Sequence, residues 1–310
     1  MSTRAAGSVR WLELTPDYRC NQRCVGCGAS EAGPSRTARE LVLAMADGRR
    51  RGADRLWIGG GEPTLRRDLL ALVREARARG YQLVRVQTNA AMLAYPEVAR
   101  RLAEAGATEI AVSIKGPDAR THDRLARTPG AFELLCRGVE NARAEGLAVE
   151  GDVLLYRSTT ARLADTVQVF WDRGVRRFRV WMMAPAPGDE EALSEEPRWS
   201  EVARAVSGAL ALGLSDDPEH LLSLHSPPCT LDDRDARARF FAPDLGLLVH
   251  DASGHSFRLE DSEIEGGSFT ERCAACALRP RCNGVRAAYV ARHGDAELAP
   301  RRPVREPSEP

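Results

Sequence analysis

The sequence predicts an α/β protein: a partial, TIM-like (β/α)6 barrel followed by a small, irregular C-terminal domain that contains a β-hairpin. Three observations carry this. Strand-like apolar runs alternate with amphipathic helical segments from about residue 9 to residue 212, the order that builds parallel βα units. Gly80, Gly106, Gly146 and Gly174 stand just past four of the helical segments, where helices end in left-handed caps. Beyond about Asp216 the periodicity stops, and the chain turns irregular around Pro227-Pro228-Cys229.

Taken in order, residues 9–14, 56–59, 82–88, 109–114, 149–155 and 178–182 read as strands. Between them, residues 37–50, 68–79, 96–105, 132–145 and 161–173 carry Leu, Val and Ala at helical spacing. Cys136 shares the apolar side of its helix with Phe132, Leu135 and Val139 and reads as a core thiol. Further on, residues 245–250 and 255–260 flank Asp251-Ala252-Ser253-Gly254, a turn suited to joining antiparallel strands. The expected organisation is a barrel over 1–215, a second domain over 216–300 and a disordered tail over 301–310, where proline and charge dominate.

Composition narrows the function. Lys plus Arg and Asp plus Glu number 44 each, so no net field gathers nucleic acid or an anionic membrane, and a nucleic-acid partner is disfavoured. Lys115 is the single lysine among those basic residues. No stretch approaches the ~20 apolar residues of a membrane span, and the N-terminus lacks the apolar core of a secretory signal. The expected location is the cytoplasm, where the eight cysteines point to metal ligation rather than disulfides.

Seven of those cysteines are grouped. Cys20, Cys24 and Cys27 are spaced C-x3-C-x2-C in the loop after the first strand. Three thiolates at that spacing can hold three irons of a cubane and leave the fourth open, although short cysteine clusters also bind zinc. About thirty residues on, a second strand ends in Gly59-Gly60-Gly61-Glu62-Pro63-Thr64. Glycines there let a ligand approach the backbone, and the carboxylate can accept hydrogen bonds from an ammonium group.

In this order and separation the two motifs resemble those of radical SAM enzymes. The resemblance implies that Cys20, Cys24 and Cys27 hold a [4Fe-4S] cluster whose open iron is chelated by the amino and carboxylate groups of S-adenosylmethionine (SAM), with Gly60, Gly61, Glu62, Pro63 and Thr64 in the cofactor site. It also implies reductive cleavage of SAM to a 5′-deoxyadenosyl radical, with an electron from a partner such as flavodoxin or ferredoxin. Ser113, at the end of the fourth strand, matches a family serine near the SAM ribose. Arg157, after the fifth, is a looser match to a basic residue near the SAM carboxylate. The chain departs from the family pattern at Gly26, where an aromatic is usual, and at Lys115, where an acid is common; Lys115 is expected to face substrate.

Cys273, Cys276 and Cys282 form a second group, followed by Asn283-Gly284, with Cys229 as a fourth ligand. Four thiolates make a closed site, which by itself fits structural zinc. Downstream of a radical SAM core the C-x2-C-x5-C pattern resembles a SPASM or twitch domain and implies one auxiliary [4Fe-4S] cluster. Arg286 stands near the place of that domain's next cysteine. His225, His250 and His255 are reserve ligands.

An auxiliary cluster suits net oxidation, so the expected function is oxidative modification: peptide cross-linking and maturation, or dehydrogenation of a small molecule. Only about eight residues precede the first strand, so direct peptide recognition, or recognition by a separate protein, is expected. The alternatives are an epimerase or rearrangement enzyme with a structural auxiliary cluster and Tyr156 as hydrogen donor, or a non-catalytic iron-sulfur or zinc protein.

Overall fold

Each barrel strand alternates between side chains that pack against helices and side chains that face a polar lumen. The computed structural model describes residues 8–28, 33–186, 188–262 and 266–302. Seven parallel strands lie in sequential order: β1 (Trp11–Leu14), β2 (Arg55–Ile58), β3 (Leu83–Thr88), β4 (Glu109–Ile114), β5 (Ala148–Leu155), β6 (Arg177–Met182) and β7 (Leu221–Leu224). The helix-side positions of β3 to β6 are apolar: Val84 and Val86, Ile110, Val112 and Ile114, Val153 and Leu155, Phe178 and Val180 are buried in one continuous core. The helices Ala38–Arg50, Leu69–Ala78, Pro96–Ala105, Ala131–Ala144, Leu163–Asp172 and Trp199–Leu210 supply its other half.

The six expected strands and five expected helices are present within a few residues of their predicted ends. Thr37 caps the first helix, accepting the Glu40 N–H while Glu40 accepts from the Thr37 N–H. The four glycines expected as helix stops all take positive φ. Cys136 is buried in the core.

Three strands join this sheet beyond the six expected, β7 and the two strands of the hairpin. β7 pairs in parallel with β6, with Phe178 opposite Leu221. The predicted hairpin forms as β8 (Leu247–His250) and β9 (Ser256–Arg258), but β8 also pairs in parallel with β1, with Trp11 opposite Leu247. The hairpin therefore extends the main sheet instead of standing in a separate unit. Its entry explains why: Gly246 turns at φ +62 and its carbonyl accepts both the Arg10 and Trp11 N–H groups.

The short helix Ala119–Ala126 and the C-terminal pair β10 (Gly267–Ser268) and β11 (Val285–Arg286) complete the parts that bear on function. The helix Ala287–His293 is held to the barrel by a Trp199–Tyr289 stack with centroids 3.9 Å apart and by buried Glu196, which accepts from Arg292 and lies 3.0 Å from His293 Nε2. The expected disordered tail lies outside the described residues from 303 onward. Among the described residues no helix is long and apolar enough to cross a membrane.

Candidate active site

The C-terminal ends of β3 to β6, the β2 loop and the first cysteine loop enclose a cavity of about 320 Å³. Cys20, Cys24 and Cys27 all line it, as do Gly60, Gly61 and Ser113. Strand ends at this face carry the site in parallel barrels. A larger cavity of about 400 Å³ opens at the opposite mouth, among Trp11, Arg85 and Arg239, and contains none of the cysteines. Trp181 borders both.

The two motifs are joined to each other through backbone. The Gly61 N–H donates to the Asp17 carbonyl at 2.9 Å and the Glu62 N–H to the Arg19 carbonyl at 2.7 Å. Gly60 has φ +101, and a Cβ on it would lie 2.5 Å from the Asp17 carbonyl oxygen. At Gly61 a Cβ would collide with the Arg19 carbonyl oxygen. Both glycines thus serve the close approach of the cysteine loop as well as opening on the cavity. Asp17 strengthens the seam: it is 5% exposed and accepts from Arg66 at 2.6 Å and from Arg19 at 3.0 Å. Burial pushes its pKa up, but these hydrogen bonds prevail and hold it below the ordinary value.

Glu62 lies behind the cavity wall, with Pro63 and Thr64, and none of the three lines the cavity. Its carboxylate, 2% exposed, accepts the Thr64 N–H at 3.0 Å, the Thr64 hydroxyl at 2.6 Å, the Thr88 hydroxyl at 2.7 Å and the Asn89 N–H at 2.7 Å. Three of these donors meet Oε1 and one meets Oε2, so Glu62 is built into the wall by protein donors while Oε2 keeps an acceptor position. Asn89 continues the chain of contacts by donating to the Asn21 side chain at 2.7 Å beside Cys20.

Gln22 meets the sulfurs through both its backbone and its side chain. The Gln22 N–H lies 3.4 Å from Cys20 Sγ, and the Cys24 thiol 3.5 Å from Gln22 Oε1. Gln22 lines the cavity, and its buried side-chain nitrogen has no partner, an orphan donor of the kind a ligand satisfies. Burial raises the Cys20 thiol pKa, and the charges of Glu62, Cys24 and Cys27 raise it further. Crowded thiolates of this kind are stabilised by a cationic metal centre. Gly26 sits at φ +69, and a Cβ there would come 2.7 Å from Met183 Sδ. Met183, a cavity residue from the end of β6, fills the space beside position 26.

Arg157 is not brought into the site. It is exposed, and its guanidinium donates to the Ser194 carbonyl. Strand parity supplies the reason: on β5 the lumen-facing file is Glu150, Asp152 and Leu154, while Val153 and Leu155 face the helices, and position 157 continues the second file. Tyr156 is fully buried outside the cavity and donates to the Val25 carbonyl at 3.0 Å. It braces the cysteine loop, and the epimerase reading loses its proposed hydrogen donor.

Asp152, the residue that β5 does contribute, was missed. It is 3% exposed and accepts from Gln87 Nε2 at 2.8 Å and Trp181 Nε1 at 3.1 Å. Burial, then the charge of Glu150, pushes its pKa to about 7 against the opposing pull of Arg85. Glu13 on β1 is raised to about 7 by burial and by Asp152, although its side chain keeps some exposure to the lumen. Folding therefore favours the protonated forms, and the stability these groups contribute is present at low pH and lost as pH rises through about 7. Unfolding free energy is expected to fall by about 1 kcal/mol from about pH 6 to about pH 8, and less in Asp152→Asn. Denaturant titrations at both pH values check this; an identical pH slope in the variant contradicts it.

The second cysteine group is also brought together. Cys229, Cys273, Cys276 and Cys282 line one apolar pocket with Leu278, Val285 and Leu298. The Gly284 N–H lies 3.2 Å from Cys282 Sγ. Burial, then the charges of Cys282, Cys276 and Cys273, pushes the Cys229 thiol up to about 11. None of the three reserve histidines lines this pocket. His225 packs on Trp181 in the first cavity, with centroids 4.8 Å apart, and His250 and His255 lie in the hairpin with Ser256 and Asp251 as neighbours. Arg286 links the two regions, donating from β11 to the Met183 carbonyl at 3.0 Å and the His225 carbonyl at 3.3 Å.

A parallel-strand cavity rimmed by three loop cysteines defines the class. The model of the Radical SAM superfamily matches residues 15–170. The chain belongs to that superfamily and is a radical SAM enzyme, a class that uses a [4Fe-4S] cluster and SAM. It is 32% identical over 197 residues to a probable GTP 3′,8-cyclase of Methanopyrus kandleri, covering 61% of this chain and 62% of that protein. It is 30% identical over 202 residues to an AdoMet-dependent heme synthase of Methanosarcina barkeri, covering 63% and 56%. It is 35% identical over 156 residues to the mycofactocin maturase MftC of Mycobacterium tuberculosis, covering 49% and 38%. Each match thus spans less than two thirds of the curated relative. In fold it is similar to Streptococcus suis SuiB bound to precursor peptide SuiA, at a TM-score of 0.68 and 12% identity over 94% of this chain and 75% of that one.

Proposed function

We propose that the chain binds SAM at a [4Fe-4S] cluster held by Cys20, Cys24 and Cys27 and performs an oxidative modification, on a peptide or a small molecule, in a biosynthetic pathway. The observation that carries this reading is the convergence of those three cysteines, Gly60, Gly61, Ser113 and the orphan Gln22 side-chain nitrogen on one cavity. When bound, the cluster and SAM supply the one-electron chemistry that removes a substrate hydrogen atom, with a reductant such as flavodoxin or ferredoxin as partner.

The chain's own residues supply the rest. Gly60 and Gly61 shape the wall, Ser113 faces the ligand from β4, and Trp181 closes the floor. Asp152 is the cavity carboxylate able to take up the proton that an oxidised substrate releases, since its pKa of about 7 suits transfer near neutral pH.

Cys229, Cys273, Cys276 and Cys282 are proposed to hold one auxiliary [4Fe-4S] cluster in a twitch-like domain. The four sulfurs share one pocket, and the resemblance of the C-x2-C-x5-C pattern to a twitch domain favours a cubane, with each thiolate on a different iron, over tetrahedral zinc. Full thiolate ligation fits electron removal, and Arg286 ties this pocket's segment to the walls of the first cavity. The peptide branch of the reading is supported by similarity to a maturase, and the small-molecule branch by similarity to a cyclase. Anaerobic reconstitution is expected to give about eight irons per chain, four for each cluster. About four irons together with one zinc would refute the auxiliary cluster.

A further inference from the structure

The only lysine of the chain stands on the cavity wall. Lys115 is one of 44 basic residues, all the others being arginine. It lies just past β4, is 4% exposed, and lines the same cavity as the first cysteine group. Elsewhere arginine meets every need for a cation, including the buried pairs with Asp17 and Glu150. A lysine differs in offering a compact point charge on a slender stem, where a guanidinium brings a broad planar fork.

The backbone holds this side chain in place. The Lys115 N–H donates to Nδ1 of buried His122 at 3.2 Å, and a Cβ on the next residue, Gly116, would come 2.7 Å from Thr121 Cγ2. The turn into the helix Ala119–Ala126 thus packs tightly against the strand end. Along β4, Ser113 and Lys115 share the lumen-facing file while Val112 and Ile114 enter the helix-side core. Among the described residues Nζ has neither an ion-pair partner nor a hydrogen-bond acceptor within the chain. Asp152, the other charged side chain at this wall, already accepts from Gln87 and Trp181 through separate oxygens.

A lysine whose stem is buried and whose ammonium opens on a ligand cavity with no counter-ion offers its charge to an anion that enters there. On the reading above, the carboxylate of SAM is held at the cluster beside Cys20, Cys24 and Cys27, whereas Lys115 follows Ser113, the residue matched to the ribose end, so the anion that meets Nζ is assigned to the substrate. We propose that Lys115 is the cavity's anion receptor and that the substrate carries a carboxylate that pairs with Nζ. This inference rests on the proposed function and adds the substrate class.

Because lysine occurs once, amine acetylation read by peptide mass spectrometry reports on one side chain. Two arms use reconstituted enzyme. In the first, SAM affinity is measured for wild type, Lys115→Met and Lys115→Arg; agreement within about threefold is expected, since tenfold corresponds to about 1.4 kcal/mol. A loss of tenfold or more in Lys115→Met, restored in Lys115→Arg, would assign the anion to SAM and overturn the substrate assignment. No SAM binding by wild type would instead defeat the parent reading. In the second arm, with SAM saturating, glutarate is expected to slow acetylation of Lys115 about tenfold more than its neutral analogue glutaramide. Equal protection by the two, or none by either, overturns the proposal.

Discussion

Gly61→Ala is expected to yield a chain that still forms its helices but does not hold iron at the first cysteine loop. The added methyl would occupy the place of the Arg19 carbonyl oxygen, and backbone on both sides leaves no flexible side chain to give way. The Gly61 and Glu62 N–H groups that donate to Asp17 and Arg19 would be pushed off their acceptors, loosening the loop that positions Cys20. Overpacking of this kind costs about 3 kcal/mol or more. Gly28→Ala is the matched control, because a Cβ there meets nothing within 4 Å. Iron content and unfolding midpoint should drop in the first variant and hold in the second; equal behaviour of the two contradicts the seam between motifs.

Glu62→Gln is expected to destabilise the protein before any ligand is added. The carboxylate accepts from Thr64 and Thr88 on one oxygen and from the Asn89 N–H on the other. An amide of the same shape turns one of those oxygens into a donor facing a donor, at about 2–4 kcal/mol for the buried unsatisfied groups. Because Asn89 reaches Asn21, the disturbance would also arrive at Cys20. The discriminating measurement is unfolding of the metal-free chain: a large loss there supports a wall-building role. Unchanged stability with weakened SAM binding would restore Glu62 as a direct ligand contact.

The pattern of strands and helices was legible because each barrel strand is apolar on its helix side and each helix has one apolar face. The same strands held a signal that was not used. Arg85 and Gln87, Ser113 and Lys115, Glu150 and Asp152, and Arg179 and Trp181 alternate with apolar residues, which marks a lumen that is polar instead of packed. Parity along β5 would have chosen Asp152 and rejected Arg157. β7, and the joining of the predicted hairpin to the main sheet, were not legible because they depend on pairing with β6 and β1, long-range contacts that no local period announces. The cysteines were legible from spacing alone. That Cys229 joins the other three is visible only once the chain folds, because 43 residues separate it from Cys273.

The most direct test of the account is SAM cleavage by anaerobically reconstituted, dithionite-reduced protein. Wild type is expected to release 5′-deoxyadenosine, and the variant with Cys20, Cys24 and Cys27 all replaced by alanine is expected to release none above background. Release of 5′-deoxyadenosine by the triple variant, or its absence with the intact chain, would contradict the assignment of that cavity.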